Sequence, residues 1–74
     1  MCEYRLVRVK WIDATTDSGW IDIDTAKNYK PIQCETVGYL LKDDEKYIVV
    51  ASTVSGDQCN GIISIPKKWI KLCD

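Results

Sequence analysis

The segment 59–73, near the C-terminus, constrains the fold most strongly because it alternates short apolar runs with residues that break strands. Gly61 precedes the β-branched run 62–65, which is typical of a strand. Pro66 lacks the backbone N–H that a strand needs, so it ends this run. The interval from Pro66 to Trp69 is long enough for one 3₁₀ turn, and residues 70–72 then predict a short last strand. A small β-barrel closes its sheet with this order of elements.

Three further strands are predicted upstream, because apolar and β-branched residues recur there at strand spacing, over residues 4–13, 33–41 and 47–53. Val7, Val9 and Trp11 lie on one face of the first predicted strand, and charged side chains alternate with them. This strand is therefore expected to cover a core with one face and to meet solvent with part of the other.

The predicted connections differ in character. Residues 13–19 are a cluster of turn formers, and residues 20–30 are expected to be irregular apart from one helical turn starting at Asp24. Residues 42–46 predict a charged hairpin tip, and residues 54–60 predict a loop. Gly38 lies inside the second strand, where a lone glycine usually marks a bulge or a bend.

Five short strands in an open sheet leave two edges with unpaired backbone groups, and closure into a barrel removes those edges. We therefore expect an all-β fold in which residues 1–74 form a single domain, a small five-stranded barrel with one 3₁₀ turn before its last strand. A domain this small buries only about 60% of the surface that its unfolded chain exposes. Phenylalanine is absent, so tryptophan and tyrosine must supply the bulky core volume.

The charge balance argues against polyanionic partners. The 10 basic and 11 acidic residues give a net charge of −1, which provides no field to attract nucleic acid or an anionic membrane. No apolar run approaches the roughly 20 residues that span a membrane. The chain opens directly into a strand pattern without a secretory leader, so we expect a cytoplasmic protein.

Four cysteines, Cys2, Cys34, Cys59 and Cys73, are widely and irregularly spaced. We interpret them as reduced thiols that pack as small hydrophobic groups. A zinc site would need close cysteine pairs or histidine, and the chain has no histidine. Pairing of Cys2 with Cys73 stays open, because chain ends are neighbours in many small barrels. No metal and no cofactor is predicted.

The order of strands, long first loop, tight hairpin and 3₁₀ turn resembles that of the SH3-like barrel. The local match is the segment 61–70, which is similar to the glycine, isoleucine, proline and aromatic signature that ends SH3 domains. On this resemblance, residues 13–32 correspond to the long first loop and residues 42–46 to the distal hairpin. The tryptophan doublet of peptide-binding SH3 domains is missing, so their groove residues are not carried over as a set.

The whole pattern also resembles a group of small bacteriophage-encoded proteins. Its elements here are the segments 9–13 (Val-Lys-Trp-Ile-Asp), 19–20 (Gly-Trp), 37–40 (Val-Gly-Tyr-Leu) and 65–67 (Ile-Pro-Lys). The resemblance implies a phage origin and carries little information on activity.

Catalysis is not predicted, because histidine, a plausible nucleophile–base pair and a glycine-rich phosphate loop are all missing from the sequence. The aromatic residues are better functional candidates. Trp20 follows a turn cluster among polar residues, so it either contacts a partner or forms a lid over an open barrel end. Tyr29 belongs to the same connection. Trp69 stands where SH3 domains place an aromatic residue that contacts the ligand.

We therefore expect a non-enzymatic phage accessory protein that acts as a protein–protein interaction module. It would engage a host protein, a phage protein or a second copy of itself through Trp20, Tyr29 and Trp69. The alternative is an oligomeric binder of a nucleotide or single-stranded nucleic acid, such as a host signalling nucleotide, through Trp69, Lys67 and Lys68. A weaker third hypothesis is an enzyme that uses loop carboxylates such as Asp22 and Asp24 with a metal. The expected location is the cytoplasm of the host cell.

Overall fold

A computed structural model describes residues 3–74 and has one antiparallel five-stranded sheet. The strands lie in the order β4-β3-β2-β1-β5. The elements along the chain are β1 (Leu6–Asp13), α1 (Ile23–Ala26), β2 (Ile32–Asp43), β3 (Tyr47–Ser55), β4 (Gln58–Pro66), a 3₁₀ turn (Lys67–Trp69) and β5 (Ile70–Cys73). The all-β prediction, the five strands and the 3₁₀ turn before the last strand are confirmed.

The sheet is open. Within residues 3–74, β4 and β5 are the outer strands, and they do not pair with each other. The body is long and narrow, with extents of 52 × 22 × 17 Å. The closed barrel expected from the sequence therefore stays a prediction, while the neighbouring position of the first and last strands is observed. Arg8 in β1 exchanges two backbone hydrogen bonds with Asp74, at 3.1 and 2.9 Å.

The core is a small apolar cluster formed by residues of β1, β3 and β4. Its fully buried members are Val7, Val9, Ile48, Val50 and Ile65. Val7 and Val9 lie on the face of β1 that the alternating pattern predicts, and Trp11 packs against the same cluster. In strands, successive side chains point to opposite faces, so one face of β1 closes the core and the other meets solvent.

The prediction of a loop over residues 54–60 is wrong. β3 and β4 instead continue to a two-residue turn at Gly56 and Asp57. Gly56 has φ +59°, which a type II′ hairpin turn requires at its first central position. The glycine therefore makes a tight turn where a cluster of polar residues indicated a longer loop.

At Gly38, the strands β2 and β3 approach each other closely. A Cβ added there would lie 2.6 Å from the carbonyl oxygen of Ala51 and 2.7 Å from Cγ1 of Val50. The pairing of Gly38 with Val7 is regular, and the irregularity between β2 and β3 lies at Leu40–Lys42. The strand β2 therefore has the predicted irregularity in its pairing, but this irregularity begins two residues after Gly38.

The helical turn expected in residues 20–30 is present, but it starts two residues earlier than predicted. Asp22 is the N-cap of α1, and its carboxylate accepts hydrogen bonds from the backbone N–H of Thr25, at 3.0 Å, and from the Thr25 hydroxyl. An aspartate three residues before a free backbone N–H satisfies a donor that the helix leaves unpaired. Asp24 therefore lies in the first turn, not at the cap.

Among residues 3–74, no helix is long and apolar enough to cross a membrane. Cys34, Cys59 and Cys73 carry free thiols. Cys2, the other member of the Cys2–Cys73 pair left open above, lies outside the described residues.

Candidate functional site

Trp20 is the most exposed large hydrophobic side chain in the described part of the protein. Its exposed fraction is 104% of the reference value, so the indole covers nothing. The hypothesis that Trp20 is a lid over an open end of the barrel is therefore wrong for this structure. The other option, contact with a partner, stays a prediction.

The connection that carries Trp20, residues 14–31, is held by its own short-range hydrogen bonds. The Asp17 carboxylate accepts from the backbone N–H of Gly19, at 3.0 Å, and from the Tyr29 hydroxyl, at 2.7 Å. The Thr15 hydroxyl donates to the carbonyl oxygen of Lys30, which joins the two ends of the connection. We call residues 14–31 the loop from here on.

The Asp17–Tyr29 contact changes the acid–base behaviour of both groups. Hydrogen bonds from the backbone N–H of Gly19 and from the Tyr29 hydroxyl lower the pKa of Asp17 below its ordinary 3.8. The same contact with the Asp17 carboxylate raises the pKa of Tyr29 above 10.0. Tyr29 therefore positions the loop through its hydroxyl, while its ring stays partly exposed.

Trp69 lies in the 3₁₀ turn and stacks on Trp11. The ring centroids are 6.5 Å apart and the planes differ by 8°. The Nε1–H of Trp11 donates to the hydroxyl of Thr36 at 3.0 Å, which fixes the inner ring from the neighbouring strand. Trp69 is 45% exposed, so part of its indole remains available for a further contact.

The two predicted lysines have different environments. Lys67 forms a salt bridge with Asp43, at the end of β2, and this contact raises the pKa of Lys67. Lys68 lies beside Trp69 in a surface hollow of about 360 Å³, which Pro31 and Lys71 also line. The structure therefore brings Lys68 and Trp69 together and turns Lys67 toward the hairpin between β2 and β3.

A second hollow, of about 470 Å³, adjoins the first and shares Ile12 and Lys71 with it. Lys10, Trp11 and Glu35 also line it. Together the two hollows form what we call the groove, and Trp69 stands in its wall. Sequence reasoning missed Lys10 and Trp11 as lining residues, because they join the groove only through the pairing of β1 with β5.

Within residues 3–74, no group of three or more Cys, Asp or Glu side chains is placed to hold a metal ion. Of the two loop carboxylates considered for a metal, Asp22 is already engaged as the helix cap. Hydrogen bonds from the backbone N–H and the hydroxyl of Thr25 lower the pKa of Asp22.

No protein-family model, curated protein or solved structure matches this chain. The function is therefore inferred from the geometry of the loop and the groove.

Proposed function

We propose that this chain is a protein–protein interaction module, with Trp20 as its main anchor and Tyr29 and Trp69 as further contacts. The observation that carries the proposal is the full exposure of the Trp20 indole on a loop that its own hydrogen bonds hold in place. Large aromatic side chains dominate the binding energy of protein interfaces when a partner covers them. A preformed loop also loses less conformational freedom on binding than a flexible one.

The sheet provides the support for this loop. The core cluster lies in β1, β3 and β4, so substitutions in the loop can change the contact surface without changing the core. We also propose the SH3-like barrel and the phage origin, which the resemblances in the sequence imply. The strand order β4-β3-β2-β1-β5, with the first and last strands as neighbours, is compatible with closure of the sheet. With a phage origin, the partner would be a phage or host protein in the host cytoplasm.

The second candidate is capture of a nucleotide or single-stranded nucleic acid. It is favoured by the half-exposed Trp69 with Lys68 and Lys71 beside it, because bases stack on indoles while lysines meet phosphate. It is weakened by the salt bridge between Lys67 and Asp43, because this contact engages one of the two lysines predicted to meet phosphate.

The test is quantitative affinity capture from infected cells with the intact chain, a Trp20→Ala variant and an Ile62→Ala variant. Ile62 is also exposed and apolar, but it lies on β4 outside the loop, so it is a matched control. We expect a partner protein that Ile62→Ala retains and that Trp20→Ala loses by tenfold or more. Circular dichroism checks that both variants fold.

Binding that Trp20→Ala leaves unchanged would contradict the proposal. The second candidate has its own readout, because nucleic-acid binding weakens steeply with added salt and disappears after nuclease treatment. Capture that follows the nuclease and the salt concentration, and not Trp20, would replace the first candidate by the second.

A further inference from the structure

The described protein exposes more surface than a globular monomer of its size. Its accessible surface is 6086 Å², while a monomer of 8.5 kDa is expected to expose about 4,650 Å². Its radius of gyration is 15.8 Å, against about 11 Å for a compact domain of 74 residues. The surplus of about 1,400 Å² exceeds the roughly 800 Å² that each partner buries in a standard interface.

Part of the exposed apolar surface lies in the loop, and the rest lies outside it, for example at Leu6 and Ile62. Trp20 is fully exposed and Ile23 is 74% exposed, while Ile21 between them is 38% exposed. Exposed apolar residues this close together in the sequence favour an interaction site, because monomers rarely leave large apolar patches in water.

Charge distinguishes the loop from the groove. From Ala14 to Ala26 the loop has three aspartates and no lysine or arginine, and its last part carries Lys27 and Lys30. Lys27 lies 4.0 Å from the carboxylate of Asp24, which stays almost fully exposed. The groove is lined by Lys10, Lys68 and Lys71, and none of these three forms a salt bridge among residues 3–74. Its acidic lining residues are Asp13 and Glu35, and Glu35 is already paired with Arg8 at 3.2 Å. The segment 14–26 of the loop is therefore acidic and carries Trp20 and Ile23, while the groove has more lysines than carboxylates and is lined by two indoles.

The middle of the loop does not line the groove of its own chain. Ala14 and Pro31, the two ends of the loop, line the groove beside Asp13, while Trp20 in the middle of the loop is fully exposed. Two copies related by a twofold axis can each place the loop in the other's groove, because a twofold interface repeats every contact in both directions. The volumes of the two hollows, about 470 and 360 Å³, fall in the range of pockets that bind small ligands.

We propose that the occupant of the groove is a second copy of this chain, with Trp20 of each copy against Trp69 of the other and Asp24 facing Lys68. The inference rests on the proposed function, since it assigns the partner of the same Trp20 surface. The resulting dimer is closed and self-complementary, and each copy contributes residues to both contacts.

The experiment measures the mass of the purified full chain by light scattering and sedimentation over a range of concentrations. We expect twice the monomer mass, and at least a tenfold weaker dimer for Trp20→Ala. Asp24→Lys and Lys68→Glu should each give monomers, because each places like charges in both contacts. An equimolar mixture of these two variants should dimerise again, since both contacts of the mixed dimer then join opposite charges.

Lys46→Glu makes the same charge change at the hairpin tip between β2 and β3 and should leave the dimer intact, as should Ile62→Ala. Circular dichroism shows whether each variant is folded. A chain that stays monomeric at millimolar concentration, or a dimer that Trp20→Ala leaves unchanged, would overturn the inference. So would variants that fail to recombine on mixing. A monomeric chain whose Trp20 is still needed to capture another protein would overturn the dimer and leave the proposed function standing.

Discussion

The sheet and the loop are ordered by different forces. In the sheet, Val9 and Ile65 are fully buried, and strand pairing joins residues that are far apart in the sequence. In the loop, no side chain is fully buried, and the ordering contacts are hydrogen bonds between residues of the loop itself, many of which the side chains of Asp17 and Asp22 accept. The sheet therefore owes its stability to burial, while the loop owes its shape to local carboxylates.

This difference separates stability from recognition in one small chain. Substitutions of buried residues should change the free energy of unfolding, whereas substitutions in the loop should change binding and little else. The next three experiments test that separation in order of expected effect.

The largest effect is expected for Ile65→Ala, which removes a fully buried side chain and leaves a cavity. Such substitutions cost about 2–5 kcal/mol in the free energy of unfolding. The matched change Ile23→Ala in the loop, at a residue that is 74% exposed, should cost within about 0.5 kcal/mol. Urea unfolding at a concentration where the chain is monomeric measures both. Equal losses would show that the loop contributes to the core.

A smaller effect is expected for Gly38→Ala, because the added methyl group meets the backbone of Ala51 at 2.6 Å. Overpacking of this kind costs about 1–3 kcal/mol. Gly19→Ala in the loop meets only Oδ1 of Asp17, at 3.4 Å, and should change the free energy of unfolding by about 0.5 kcal/mol or less. Thermal unfolding of the two variants compares them. A stable Gly38→Ala variant would contradict the close packing of β2 against β3.

The smallest effect concerns pH and the loop. The pKa of Asp17 is lowered in the folded protein, so the ionised carboxylate stabilises the folded state. This contribution to the free energy of unfolding is complete above the ordinary pKa of 3.8 and is lost as the pH falls through the lowered pKa. Carbon NMR of the Asp17 carboxyl group should show a midpoint below 3.8, and Tyr29→Phe should move it upward because one donor is removed. The midpoint of Asp22, which depends on Thr25, is the internal control and should not move.

Local patterns in the sequence predict much of the sheet. The alternation around Val7 and Val9 identifies the buried face of β1, and Pro66 marks the end of β4. The turn at Gly56 was missed because a hairpin turn and a longer polar loop have similar compositions, and only the backbone conformation separates them.

The candidate site was predicted less completely, because its contacts join distant residues. The salt bridge of Lys67 with Asp43 depends on how the 3₁₀ turn meets the end of β2, and no local pattern encodes that. The stacking of Trp69 on Trp11 depends on the pairing of β5 with β1. Trp20 was identified from its polar neighbours alone, but the choice between lid and contact needed coordinates.

The backbone pairing of Arg8 with Asp74 has a consequence for the timing of folding. The strand β1 ends at Asp13 and β5 begins at Ile70, so the ribosome makes β1 seconds earlier, at about 5–20 residues per second. During that time β1 can pair with β2, but its side that faces β5 has no partner strand. The pairing of β1 with β5 is therefore the last strand pairing of this sheet that can form.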